Sequence, residues 1–105
     1  MLTNKEKKFL KKEAHSLKPL FQIGKNGLNP ELVKQLDDLL EKRELIKVNI
    51  LQNSDEDIKS AGQILSQELN AELLQTIGRV MTLYRPAKDN KHQKISSALR
   101  QEVKD

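Results

Sequence analysis

A short loop bracketed by glycines is the part of this sequence best suited to hold an anion. Gly24-Lys25-Asn26-Gly27 precedes Asn29-Pro30, a pair typical of the first residues of a helix. Glycines let backbone N–H groups approach a phosphate closely, and the positive end of the helix dipole favours negative charge there. Two glycines at this spacing also form simple tight turns, so the loop alone leaves both interpretations open.

The basic start of the chain is a second candidate anion site. Thr3 and Glu6 have the spacing of a capping box, which predicts a helix from there to about Ser16. A helical wheel gives this helix an apolar side that excludes Phe9 and consists of Leu10, Ala14 and Leu17. The opposing arc is basic and carries Lys5, Lys7, Lys8, Lys11, Lys12 and His15. Lysines three or four residues apart repel one another, and a bound anion is the simplest compensation.

Charge is distributed unevenly along the 105 residues. The formal net charge is +4, but residues 1–25 carry +5, residues 51–77 carry −4 and residues 78–105 carry +4. Basic ends around an acidic middle favour a polarised surface with an anionic partner. A surface that only promotes solubility would give a similar distribution.

Composition narrows the class of protein. Hydrophobic residues make up 36% and charged residues 32%, which suits one small globular domain. The absence of cysteine excludes disulfides, a thiolate nucleophile and Cys-ligated zinc. No apolar run is long enough to span a bilayer, and the lysine-rich start lacks the apolar core of a signal peptide. We therefore expect a cytoplasmic protein that does not associate with membranes.

The sequence predicts no catalytic or metal centre. His15 and His92 are its only histidines, and they form no metal-binding motif. Asp37-Asp38 and Asp55-Glu56-Asp57 are better explained as solvated faces and helix caps than as catalytic pairs. Because no nucleophile–base motif is present, we expect a non-enzymatic protein without cofactors or a small-molecule substrate.

The first half of the chain predicts an alternation of helices and strands. A short strand is expected at 20–23, and a strand with alternating faces at Leu45–Ile50. Between them, a helix capped by Asn29 should end near Arg43 and have an apolar arc made of Leu32, Val33, Leu36, Leu39 and Leu40.

The second half predicts one more helix and a hairpin. Ser54 with Asp57 should cap the helix, whose buried arc is expected to be Ile58, Ala61, Leu65 and Leu69, with Gly62 beside it allowing close packing. Gly78-Arg79 suits a type II′ turn between strands at 73–77 and 80–84, and Pro86 should end the sheet. The basic, polar segment after it includes a weak helical pattern near Ser97–Val103.

The predicted fold class is α/β (α+β) with the order α-β-α-β-α-β-β. Four strands should form a mixed sheet, because helices can connect parallel strands while the final hairpin adds an antiparallel pair. The second and third helices are expected on one face of the sheet. The pattern does not place the first helix.

Several separated stretches together resemble a known family. They keep the same order from Leu2 to about Pro86 and comprise residues 2–10, 14–19, 23–28, 44–48, 77–79 and 83–86. The resemblance is to the CRM domain (chloroplast RNA splicing and ribosome maturation), whose bacterial single-domain members are YhbY-type proteins. We accordingly expect a CRM RNA-binding domain at 1–86 and a basic polar tail at 87–105, which matches no family pattern.

The resemblance implies a fold similar to the C-terminal domain of translation initiation factor three. It also implies association with the precursor of the large ribosomal subunit. The family's G-x-x-G loop corresponds to Gly24, Lys25, Asn26 and Gly27, and Asn26 stands where some members have glycine.

Together these patterns predict a monomeric RNA-binding protein that contacts large-subunit ribosomal RNA during ribosome assembly. With three aromatic residues in the chain, contact should be mainly to RNA backbone and shape. The predicted contact residues are Gly24, Lys25, Asn26, Gly27, Lys5, Lys8, Lys11, Lys12, His15, Arg79 and Arg85. The alternatives are a module that docks on a translation or ribosomal protein and, third, an enzyme that acts on RNA.

Overall fold

Helices and strands follow one another in the predicted order. The computed structural model describes residues 2–24, 27–51 and 57–102. These residues form α1 (Asn4–Ala14), β1 (Phe21–Ile23), α2 (Pro30–Arg43), β2 (Leu45–Ile50), α3 (Ile58–Leu69), β3 (Glu72–Ile77) and β4 (Val80–Tyr84). A 3₁₀ turn (Asn90–His92) and α4 (Lys94–Glu102) follow, so the last helix begins earlier than the weak pattern near Ser97 predicted.

Local capping signals explain where α1 and α2 begin. The Glu6 N–H donates to the Thr3 hydroxyl (3.1 Å) and the Thr3 N–H donates to the Glu6 carboxylate (2.8 Å), which confirms the capping box. These bonds, that from the Thr3 backbone above all, lower the pKa of Glu6. At α2, the Asn29 side chain accepts from the Leu32 N–H (2.8 Å) and Pro30 occupies the first turn.

The predicted start of α3 was wrong. Asp57 itself is the N-cap, and its carboxylate accepts from the Ser60 N–H at 3.1 Å. The helix therefore begins at Ile58, later than a cap at Ser54 would place it, and Ser54 lies outside the described residues. One turn later, a Cβ added to Gly62 would lie 2.8 Å from a Leu73 methyl group, which confirms the close packing expected there.

The strands form a mixed sheet in the order β1-β2-β4-β3. β1 pairs with β2 in parallel, while β4 is antiparallel to both of its neighbours. β2 and β3 are therefore parallel but separated by β4. Gly78 has φ 59°, whereas the non-glycine residues with positive φ in the described ranges are Glu44 and Asn70. This combination agrees with the predicted type II′ turn, which needs positive φ at its first central residue alone.

Two apolar cores lie on opposite faces of this sheet. The larger joins α2 and α3 to the sheet through Ile23, Leu32, Leu36, Leu40, Ile46, Val48, Ile50, Ala61, Leu65, Leu69, Met81 and Leu83. The smaller joins α1 and α4 to the other face through Leu10, Ala14, Leu45, Leu74, Tyr84 and Leu99. Both faces of β2 are thus used, and α1 and α4 share the face that α2 and α3 leave open.

The smaller core corrects two expectations for α1. Phe9, expected away from the apolar side, packs against this core. Leu17 lies beyond the end of α1 and is 37% exposed. The helix ends at Ala14, so the wheel that grouped Leu17 with Leu10 no longer applies there.

A buried carboxylate attaches the C-terminal segment to the rest of the fold. Glu44 is fully buried and accepts from the N–H groups of Ala87 (2.8 Å), Ile95 (2.9 Å) and Ser96 (3.0 Å), and from the Ser96 hydroxyl. Because Ser96 gives its only hydroxyl proton to a carboxylate, the Tyr84 hydroxyl donates to Ser96 (2.6 Å). Glu44 therefore caps α4 from a distant part of the chain, in addition to closing the end of α2.

Candidate nucleic-acid interface

The solvent side of α1 forms a basic groove. It is lined by Asn4, Lys7, Lys8, Lys11, Lys12 and His15, which we call the α1 lysine groove, and it encloses about 500 Å³. Leu10 and Ala14 are completely buried on the opposite side of the helix and fix its orientation. The groove therefore presents four lysines and a histidine to solvent without a carboxylate among its lining residues.

Lys5 lies on the far side of this groove. With Lys8, Phe9 and Lys12 it borders a smaller hollow of about 200 Å³, which also includes Glu102 of α4. The predicted basic arc therefore borders two hollows, which share Lys8 and Lys12. In the smaller hollow, the negative charge of Glu102 offsets part of the positive charge beside Lys5. His15 is exposed at the C-terminal end of α1, where its N–H donates to the Lys12 carbonyl (3.2 Å).

The described glycines of the loop differ in what they require. Gly27 has φ 63°, a conformation that favours glycine, and its N–H donates to the Gly24 carbonyl at 3.0 Å. A Cβ on Gly24 would make an ordinary 3.6 Å contact with Leu51, so packing does not demand glycine there. Lys25 and Asn26 lie outside the described residues, and their role stays a prediction.

The positive end of the dipole of α2, the helix that follows the loop, is already partly compensated. Gly24, Gly27 and Asn29 border a hollow of about 230 Å³ together with Glu31. Glu31 occupies the first turn of α2, where its negative charge compensates the helix dipole. An additional anion at this helix end is therefore less favoured than at an uncompensated one.

Arg79 lies at the same end of the sheet as the glycine loop. Its guanidinium donates to the carbonyls of Ile50 and Leu51, both at 2.9 Å. The Leu51 N–H in turn donates to the Ile23 carbonyl (2.9 Å), immediately before Gly24. The side chain is exposed and held in place, so it remains a candidate phosphate contact.

Arg85 has a different environment from the one expected of a contact residue. It is 8% exposed, and its guanidinium pairs with the Asp37 carboxylate (2.6 Å) and donates to the Leu69 carbonyl (2.9 Å). A third bond reaches the Asp37 carbonyl (3.0 Å). These contacts connect β4 to α2 and α3, and we assign Arg85 a structural role rather than a place in the interface.

A further group of cations had no counterpart among the predicted contact residues. Lys18, Lys42, Arg43, Lys47 and Lys94 border one pocket although they come from distant segments of the sequence. No spacing pattern could have indicated this cluster, since the fold alone brings its members together.

Two further features were sought in the described ranges, a membrane-spanning helix and a cluster of metal-ligating side chains. None of the helices there is both long and apolar enough to cross a bilayer. No group of three His, Asp or Glu side chains among these residues is arranged to hold a metal ion.

Comparison with known proteins gives a consistent result. Residues 2–85 match the CRS1 / YhbY (CRM) domain model. The probable RNA-binding protein YqeI of Bacillus subtilis is 47% identical over 91 residues, which cover 87% of this chain and 95% of that protein. An RNA-binding protein of Haemophilus influenzae is 36% identical over 92 residues, 88% of this chain and 93% of the relative. These names describe binding rather than catalysis.

A solved structure is similar over almost the same range. The solution structure of the hypothetical protein SAV1595 from Staphylococcus aureus has a TM-score of 0.73 and 48% sequence identity. The match covers 90% of this chain and 98% of the other. The similarity thus extends from the sequence to the whole arrangement of helices and strands.

Proposed function

This chain belongs to the CRS1/YhbY (CRM) domain family, and from that we propose that it binds RNA through the α1 lysine groove. The further proposal is that the RNA is large-subunit ribosomal RNA and that the protein acts, as a monomer in the cytoplasm, in assembly of the large ribosomal subunit. Relatives named as RNA-binding proteins support RNA as the partner. The family resemblance supports the second.

The observation that carries the proposal is the cluster of four lysines in the α1 lysine groove, whose lining residues include no carboxylate. Lys7, Lys8, Lys11 and Lys12 follow one another on neighbouring turns of one helix. Their mutual repulsion costs helix stability, and closely spaced phosphates would convert that cost into attraction. The buried residues of α1, Leu10 and Ala14, belong to the smaller core, and none of these lysines is among its members.

The glycine loop and Arg79 form a second part of the proposed surface. Arg79 is fixed by two carbonyl groups and keeps an exposed side chain at the end of the sheet where β1 leads into Gly24. In this arrangement the lysines would supply most of the attraction, while the loop would fix the position of one phosphate. Arg85 is not part of the proposal.

Salt dependence separates RNA-backbone binding from the alternative of a protein-docking module. Four phosphate contacts should make log Kd for a large-subunit ribosomal RNA fragment change with log salt by a slope of roughly 3 to 4. Binding can be followed by fluorescence anisotropy between about 50 and 200 mM salt. A salt-independent affinity, or no affinity for RNA beside tight binding to a ribosomal protein, would favour the docking module.

A further inference from the structure

A pocket at the other end of β1 combines an apolar floor with a basic rim. It encloses about 290 Å³ and is bordered by apolar side chains that include Leu20, Leu45 and Ile95. Six basic residues surround them, namely Lys18, Lys42, Arg43, Lys47, His92 and Lys94. Since Leu20 lies four residues before Gly24, the pocket is about 13 Å of extended strand away from the glycine loop.

The cations of this rim form no salt bridge within the described part of the chain. In the described part of the chain, no hydrogen bond or salt bridge engages the side chains of Lys18, Lys42, Arg43, Lys47 or Lys94. Glu41 and Glu44, next to Lys42 and Arg43 in the sequence, bind backbone N–H groups rather than these cations. Glu41 accepts from the N–H groups of Lys88 and Asp89, and Glu44 is buried under its four donors. Five cations therefore border one small pocket without a salt bridge among the described residues, and the buried Glu44 carboxylate lies behind the Ile95 wall.

The walls of the pocket are held in place by packing and hydrogen bonds within the protein. Leu45 is 3% exposed and belongs to the smaller core, against which Ile95 also packs. The Ile95 N–H is held by the Glu44 carboxylate at 2.9 Å, and the Leu20 N–H donates to the Lys47 carbonyl at 3.0 Å. The Nδ1 of His92 is buried and has no hydrogen-bond partner among the described residues, so this wall also contains an unsatisfied polar atom.

We propose that this pocket binds a single unpaired nucleotide, with the base on the apolar floor and its phosphate on the basic rim. An apolar floor suits the flat face of a base, whereas the rim demands an anion, and a nucleotide combines both. The volume lies at the lower end of small-molecule pockets, which favours one nucleotide over a stacked pair. A paired base is enclosed in its helix, so the nucleotide has to be unpaired.

The inference rests on the proposed RNA binding and extends it to a preference between RNA structures. Lys18 follows α1 by four residues in the chain, and from this proximity we expect the rim to extend the basic surface of the α1 lysine groove. A duplex held by the groove would then place a bulged or terminal nucleotide in the pocket. His92 and Lys94 lie beyond residue 85, where the family match ends, so this part of the site is not given by the CRM domain itself.

Two RNA hairpins with the same stem, one with a single bulged uridine, test the preference by anisotropy. The wild-type chain should bind the bulged hairpin roughly tenfold more tightly than the unbulged one. A factor of this size is expected from one hydrogen bond to a charged group together with apolar contact of the base. The double variant Lys18→Gln/Lys47→Gln should lose that ratio. The matched control Lys34→Gln/Lys59→Gln removes the same charge from α2 and α3 and should keep it. Both variants should melt as the wild type does, since none of these four side chains has a hydrogen-bond or ion-pair partner among the described residues.

The possible outcomes separate this inference from the proposed function. Equal binding of both hairpins by the wild type, or equal loss of the ratio in both variants, would overturn the pocket and leave RNA binding intact. No binding of either hairpin would overturn both proposals.

A titration with free uridine monophosphate tests whether the pocket accepts a free nucleotide or only a nucleotide within RNA. Amide shifts at Leu20, Lys47 and Ile95 in an NMR titration would show that the pocket also accepts free nucleotides. A bulge preference without such shifts would restrict it to nucleotides within RNA. Equal shifts with inorganic phosphate would overturn the role of the apolar floor.

Discussion

Replacing Lys8, Lys11 and Lys12 with glutamine should weaken RNA binding by roughly 10- to 100-fold at low salt. Each removed phosphate contact should also reduce the salt slope by about 1. The effect is expected to be nearly independent of RNA sequence, because these side chains would contact backbone rather than bases. Fluorescence anisotropy with a large-subunit ribosomal RNA fragment at several salt concentrations measures both quantities.

A variant with equal charge loss elsewhere provides the control. Lys34, Lys59 and Lys88 are exposed and lie outside the α1 lysine groove. Changing these three to glutamine removes the same formal charge, so a purely long-range effect would weaken RNA binding equally in both variants. Folding should be little affected by the α1 changes, since relief of lysine repulsion offsets the lost interaction with the helix dipole. Unchanged affinity and salt slope in the α1 variant would mean that the groove only promotes solubility.

Replacing Glu44 with alanine should lower the free energy of unfolding by about 3 to 5 kcal/mol. The side chain is fully buried, and its removal leaves three backbone N–H groups and the Ser96 hydroxyl without their acceptor. Urea unfolding measures the change. Amide hydrogen exchange should show that α4 loses protection first, because two of these N–H groups belong to its first turn.

The backbone conformation at Glu44 allows the alanine variant to be compared with a glycine variant that lacks the same carboxylate. Its φ of 66° is strained for any residue other than glycine. Glu44→Gly should therefore be more stable than Glu44→Ala by about 1 kcal/mol, although it lacks the same carboxylate. Glu44→Gln retains one acceptor and should lie between alanine and the wild type. A loss below about 1 kcal/mol for the alanine variant would contradict the anchoring role.

The parts of the fold that sequence predicted well depend on neighbouring residues. The capping box of Thr3 and Glu6, the Asn29-Pro30 helix start and the turn at Gly78 are all satisfied within a few positions along the chain. Each of these features depends on residues a few positions apart, so it can be recognised in the sequence. The glycine loop as an anion site stays a prediction, since Lys25 and Asn26 lie outside the described residues.

The parts that sequence missed depend on contacts between distant segments. Arg85 looked like a free cation because its partner Asp37 is 48 positions away and faces it only in the folded sheet. Likewise, the helical pattern of the C-terminal segment was weak because its cap is Glu44, which belongs to the end of α2. The basic pocket beside Leu45 has the same origin, since its cations come from separate elements.

Sedimentation of the tagged 105-residue chain through sucrose gradients of a bacterial lysate tests the central claim most directly. If the α1 lysine groove attaches the protein to precursor ribosomal RNA, the wild type should sediment with immature large subunits. The Lys8→Gln/Lys11→Gln/Lys12→Gln variant should then shift to the free fractions, while the Lys34→Gln/Lys59→Gln/Lys88→Gln control remains bound. A wild-type chain found only in free fractions, or on small subunits alone, would contradict the proposal.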